Sequence, residues 1–172
     1  MFLDGLILDR LEITDELKNS YEFKLILRGT RDGFTPKKFH EICDNKLHTV
    51  SIIKIKDSNE ILGGYNPIEW RSGHGWGNTK DSFIFSFKND DNIEDYILSR
   101  IKNEEYAINC NDHFGPSFGM GDLRIYRVSD KSSNNCTSYC KKVYYEKSIR
   151  ETEDKFSIEE YEIFQIKKNC KD

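Results

Sequence analysis

The sequence predicts a mainly β protein with short flanking helices, built as a two-sheet antiparallel β-sandwich. Three observations carry that prediction. Short apolar stretches bounded by turn residues recur along the 172-residue chain, most with a two-residue period. Helical periodicity is confined to two brief segments. Strands do not alternate with helices, so the rhythm of a parallel βαβ sheet is missing.

Residues 2–8 form the first strand signal, and Thr14-Asp15-Glu16-Leu17 a brief capped helical turn. Phe23, Leu25 and Leu27 alternate with Lys24, Ile26 and Arg28, which predicts a strand with one strongly buried face. Arg31-Asp32-Gly33 reads as a turn whose glycine supplies a positive φ. A helix follows. Thr35 is placed to cap it, Pro36 suits the first helical position, and Phe34 and Phe39 have the spacing of a hydrophobic staple. Phe39, Ile42 and Cys43 share one face, Lys37, Lys38, Glu41 and Asp44 the other.

Leu47 to Lys56 places Leu47, Ile53 and Ile55 on one parity and Val50 and Ile52 on the other, the pattern of an interior strand. Asp57-Ser58-Asn59-Glu60 turns it into Ile61 to Tyr65. Gly63-Gly64 inside that strand costs stability unless a neighbour must come close, so the pair predicts a packing constraint. Residues 67–80 read as a long loop holding Trp70, His74 and Trp76 among three glycines. A loop of that length is expected to be functional or mobile.

Ser82 to Phe87 is a strand with three phenylalanines on one side. Residues 96–101 are read as a strand returning through Lys102 to Glu105 into 106–108. Asn111 to Gly121 is a glycine-rich loop feeding a strand at 122–128, and 130–138 is a polar, mobile loop. Residues 143–146 and 160–166 are the closing strands. With no repeat or linker, one domain over residues 1–172 is expected.

A net charge of −4 argues against a nucleic-acid binder. No apolar run approaches the roughly 18 residues of a bilayer span. The start of the chain lacks a basic segment and carries Asp4 and Asp9, so no signal peptide is read there. Five cysteines without framework spacing suit free thiols in a reducing compartment, and a cytoplasmic protein is expected.

Few groups suggest chemistry. Cys110-x2-His113 with Cys136-x3-Cys140 has the ligand types for zinc but a poor spacing, so no metal is expected. His40 and Asp44 stand four residues apart on the helix, and a hydrolase would need a nucleophile beside them, with Ser82 the tempting candidate. A satisfied, partly buried histidine is the simpler expectation. Gly115 to Gly121 lacks the Gly-Lys-Ser/Thr ending of a phosphate loop and runs into a strand. Cys43, buried on its helix face, is expected to be inert. No cofactor is called for.

Several blocks in fixed order resemble the TLDc domain family, over roughly residues 3–168. They are Arg28-Gly29-Thr30-Arg31-Asp32-Gly33-Phe34, Phe39-His40 with Cys43-Asp44, and Gly63-Gly64-Tyr65 followed by Trp70. Asp81 to Phe85, Gly115-Pro116-Ser117-Phe118-Gly119 with Asp122-Leu123, and Glu160 to Phe164 complete the set. The resemblance implies a two-sheet β-sandwich and a eukaryotic interaction module without established catalysis. Its members are associated with oxidative-stress resistance and with binding and regulating the vacuolar proton-pumping ATPase. Further domains usually lie upstream, so an excised domain or a short stand-alone member is expected.

Accordingly Gly33, Phe39, His40, Asp44, Gly63, Gly64, Trp70, Asp81, Ser82, Gly115, Gly119 and Asp122 are expected to be structural, and no residue catalytic. His74, Trp76, His113 and Phe114 in the two loops, with Arg31 and Asp32, are the candidates for partner contact. The expected partner is the peripheral sector of the proton pump. An adaptor with another protein partner is the alternative, and a hydrolase using His40 and Asp44 is the third reading.

Overall fold

A computed structural model of the chain describes residues 20–89, 92–126 and 138–169. The signals at 2–8 and 14–17, and most of the polar loop at 130–138, lie outside those residues. Two antiparallel sheets face each other. The larger runs β1 (Tyr21–Arg28), β10 (Ile158–Lys168), β2 (Thr49–Ile55), β3 (Ile61–Asn66), β5 (Phe83–Asn89) and β6 (Asn92–Arg100), in that spatial order. The smaller runs β4 (His74–Gly77), β7 (Ile108–Asn111), β8 (Ser117–Phe118) and β9 (Leu123–Arg124). The β-sandwich predicted from strand patterning is the architecture found.

The main core lies between the sheets. Leu27, Ile53, Leu62, Ile84 and Ile163 of the larger sheet meet Ile108, Phe118 and Leu123 of the smaller one. On the far side of the larger sheet, Ile52, Ile61, Phe87 and Phe164 gather a second cluster with Phe23, Leu25, Val50 and Phe85. This is why β2 is apolar on both parities: Ile53 and Ile55 serve one cluster, Val50 and Ile52 the other.

The simple alternation read for 23–28 is broken by a register shift between Leu25 and Leu27 against β10. The irregularity sends Phe23 and Leu25 to the second cluster and Leu27 to the main core. Leu47 is exposed rather than inside, because Asn45 and His48 take positive φ and β2 begins only at Thr49. Residues 67–80 are not all loop, since β4 pairs with β7 there. Residues 143–146 form no strand: Tyr145 alone bridges to Ile101. The strand expected over 122–128 is described as far as Tyr126, and within that stretch Leu123–Arg124 forms β9.

The helix α2 (Pro36–Cys43) forms as its sequence dictates. Thr35 Oγ1 accepts from the Lys38 amide, Pro36 opens the first turn, and Phe39, His40 and Cys43 are buried. Before it, Gly29–Asp32 make a helical turn, α1, closed by Gly33 at φ 108°. Arg31-Asp32-Gly33 is therefore the end of a one-turn helix, a longer element than the turn expected.

Candidate interaction face

Strand parity sorts the smaller sheet into two faces. Gly75 pairs with Cys110 and Gly77 with Ile108, and the buried Cys110, Gly77 and Ile108 look into the core. His74 pairs with Asn111 and Trp76 with Asn109, so these four look outward. On β8 and β9 the inward Phe118 and Leu123 leave Ser117 and Arg124 on the outer side. His113, in the turn after β7, brings its ring 6.3 Å from that of His74. Of the sequence-derived contact residues, His74 and Trp76 lie on this outer face and His113 beside His74, while Phe114, in the same turn as His113, packs 4.3 Å from the Arg124 guanidinium.

Trp76, bracketed by Gly75 and Gly77, has no apolar neighbour adjacent in sequence. Instead it stands edge-on to Tyr106 at 5.1 Å and to Tyr144 at 6.4 Å, and those two rings stack at 4.6 Å. All three rings are half-buried. The neighbours come from a 3-10 turn at Glu104–Tyr106 and from the irregular stretch after Lys142. Neither is adjacent to Trp76 in sequence. Tyr106, Tyr144 and Arg124 carry little sequence signal, each set in a short segment without a marked pattern.

Arg31 and Asp32 belong elsewhere, at the β1–β10 side of the larger sheet, where α1 packs. Arg31 donates to Asp32 at 2.9 and 2.7 Å, and Asp32 also accepts from the Arg28 amide at 2.9 Å. The Arg31 hydrogen bond holds the Asp32 carboxyl below its ordinary value. The block around them is anchored by β10. Arg28 Nε donates to the buried Glu162 at 2.6 Å, and the buried Glu160 accepts from the Thr30 amide at 3.1 Å and from its hydroxyl. A Cβ on Gly29 would strike both Phe34 and Glu160. Two blocks far apart in sequence are the two halves of one ionic joint.

The remaining motif residues are structural supports. His40 Nδ1 lies 2.7 Å from Asp44, and Nε2 lies 3.1 Å from the carbonyls of both Asn111 and Phe114. Asp44 also accepts from the Ser72 amide and hydroxyl. The pair clamps α2 to the turns that present His74 and His113. Ser82 is not beside it: its hydroxyl bonds the Tyr65 carbonyl at 2.8 Å and lies 2.7 Å from the Tyr145 hydroxyl. The His40–Asp44–Ser82 grouping that a hydrolase would need is not assembled.

Trp70 donates to Thr49 Oγ1 at 2.7 Å and stands edge-on to Phe39 and Phe118. Phe118 in turn covers Gly64, whose absent Cβ would lie 2.6 Å from the ring. Phe85 covers Gly63 in the same way on the opposite side. The crowding expected at this glycine pair is present, supplied chiefly by rings. Buried Asp122 accepts from the amides of Val143, Tyr144 and Tyr145 at 2.8 to 3.1 Å, and Gly119, at φ 60°, leaves room for its carboxylate. Gly115 donates its amide to the Ile125 carbonyl, whereas Asp81 is exposed and donates its amide to Thr79.

Cys43, Cys110 and Cys140 are buried free thiols, and burial pushes all three up in pKa. Cys136, the remaining member of the zinc grouping, lies outside the described residues. Among the described residues no three His, Cys, Asp or Glu side chains are grouped to hold a metal, and no helix is long and apolar enough to cross a membrane.

The chain is a β-sandwich in which ordered motif blocks lock helix, turns and sheets together. A family model of the TLDc domain matches residues 5–167, nearly the whole chain, and the protein belongs to that family. A comparison with curated proteins gives no match.

Proposed function

We propose that this TLDc domain is a non-catalytic protein-binding module that engages the peripheral sector of the vacuolar proton-pumping ATPase from the cytoplasmic side. One observation carries the interaction reading: His74 and Trp76 share the outer side of the smaller sheet, with the His113 ring beside His74, Tyr106 and Tyr144 beside Trp76, and Phe114 against Arg124 of β9. Half-exposed aromatic groups on a rigid sheet lose little conformational freedom when a partner covers them. The choice of partner rests on family membership. The commitment of His40, Asp44 and Ser82 to structural hydrogen bonds favours the non-catalytic reading. The buried thiols favour a contribution to oxidative-stress resistance that runs through partner binding and not through Cys43, Cys110 or Cys140.

Trp76→Ala is the test. Immobilised protein is expected to retain pump peripheral subunits from a eukaryotic lysate, and Trp76→Ala to weaken retention at least tenfold, a loss of about 1.4 kcal/mol or more. Because Trp76 also covers Tyr106, a fall of about 2–4 °C in melting temperature is expected. Unchanged retention by a folded variant refutes the face. Retention of a different protein set, with pump subunits absent, replaces the pump with another adaptor partner.

A further inference from the structure

At the β9 end of the same outer face lies a recess of about 380 Å³ lined by His113, Phe114, Arg124, Tyr126 and Tyr139. Its distinctive group is Arg124. The guanidinium carbon stands 4.3 Å from the Phe114 ring centre and 5.5 Å from that of Tyr139. Nη1 donates to the Tyr139 hydroxyl at 2.9 Å, and Nε points to Ser117 Oγ at 3.4 Å. Two rings and two hydroxyls therefore fix its plane, while Nη2 has no hydrogen-bond partner among the described residues.

The other half-buried arginines are paired. Arg28 meets Glu162, and Arg150 meets Glu60 at 3.0 Å. Withdrawing a guanidinium from water costs free energy that a carboxylate normally offsets. No carboxylate lies within ion-pairing distance of Arg124 among the described residues. Asp112, beside the recess residue His113 in the turn, lies 3.7 Å from its ring. A planar cation held between rings, with one edge unbonded among the described residues, is arranged for an anion.

We propose that this recess receives the carboxylate of an acidic side chain on the protein partner, with the rings of Phe114, Tyr126 and Tyr139 packing against the apolar residues beside it. The inference rests on the reading of this sheet as the partner-binding face, and it specifies what that partner must present. Two features favour a carboxylate over a phosphate. A single arginine supplies the charge, and Asp112 nearby penalises a group carrying close to two negative charges. The walls are predominantly aromatic, which suits a peptide with apolar neighbours more than a free ion.

The test uses the full chain and a fluorescein-labelled Gly-Phe-Glu-Phe amide, read by fluorescence anisotropy, with the Arg124 Nε–H resonance followed by NMR. The glutamate peptide is expected to bind saturably and move that resonance. Its glutamine counterpart is expected to bind at least about tenfold more weakly, the loss of one charge-assisted contact. Arg124→Lys, which keeps the charge and loses the planar fork, is expected to weaken binding about fivefold or more with the melting temperature held. Acetate and inorganic phosphate are expected to move the resonance only at far higher concentration. Equal binding of the two peptides, or displacement of the peptide by acetate or phosphate at its own concentration, overturns the proposal. So does the absence of any response to the glutamate peptide. No pump subunit enters the titration, so its failure leaves the Trp76→Ala experiment to decide the partner-binding reading separately.

Discussion

Cys43 shows how far one side chain's surroundings decide its chemistry. It lies fully buried on the inner face of α2, beside Phe39, and burial raises its pKa far above that of a free thiol. The thiolate, the reactive form, is therefore scarce at neutral pH. Iodoacetamide is expected to modify the Cys43 peptide at least tenfold more slowly in native protein than in denatured protein, followed by mass spectrometry. Rapid native labelling would place the thiol at the surface. Asp122 makes a related point: its carboxylate is acceptor to three consecutive amides, so a side chain, together with the backbone bridge of Tyr145 to Ile101, shapes the irregular stretch at Val143 to Tyr145.

Among the elements, β3 is the most constrained. It pairs on both sides, with β2 and β5, and its glycines are overlaid by Phe85 on one face and Phe118 on the other. Phe118 cannot retreat freely, because Trp70 stands behind it at 5.6 Å and is itself fixed by Thr49 and Phe39. Gly64→Val is therefore expected to destabilise by about 1–3 kcal/mol through overpacking. That corresponds to a fall of roughly 2–12 °C in melting temperature for a domain of this size. A melt unchanged within error would mean that Phe118 has space to move.

For the whole molecule, the topology puts the last strand in the middle. β10 enters between β1 and β2, and its Glu160 and Glu162 receive Thr30 and Arg28 from the other end of the described chain. Amides at the centre of β10, around Ile163 and Phe164, bond β1 and β2 alternately, so the strand as a whole is released only when both pairings break. They are expected to exchange with solvent only by global unfolding and to show the highest protection in the protein, well above edge strand β6. Hydrogen exchange read by NMR or mass spectrometry checks this. Comparable protection in β6 and β10 would deny β10 that central role. The proposed interaction face obeys the opposite logic, because its strands are short and the side chains of His74 and Trp76 stand outside the core.

What the sequence determined by itself was local and mechanical. Apolar residues on both parities marked β2 as an interior strand, Thr35-Pro36 marked the start of α2, and Gly63-Gly64 signalled a close approach. Each depends on neighbours only a few residues away, or on a steric need that glycine alone meets. The ordered motif blocks likewise sufficed to indicate the family. Only the tertiary structure decided what those blocks do to one another: Arg28 and Thr30 against Glu162 and Glu160, Asp122 beneath Val143 to Tyr145, and His40 on the carbonyls of Asn111 and Phe114. It also covered Trp76 with Tyr106 and Tyr144, and left Arg124 without a carboxylate among the described residues. These pairings join residues roughly 20 to 130 positions apart. Local pattern carries no record of them, because hydrogen bonds, ion pairs and ring contacts act over a few ångströms of space, and the fold alone determines which distant residues share it.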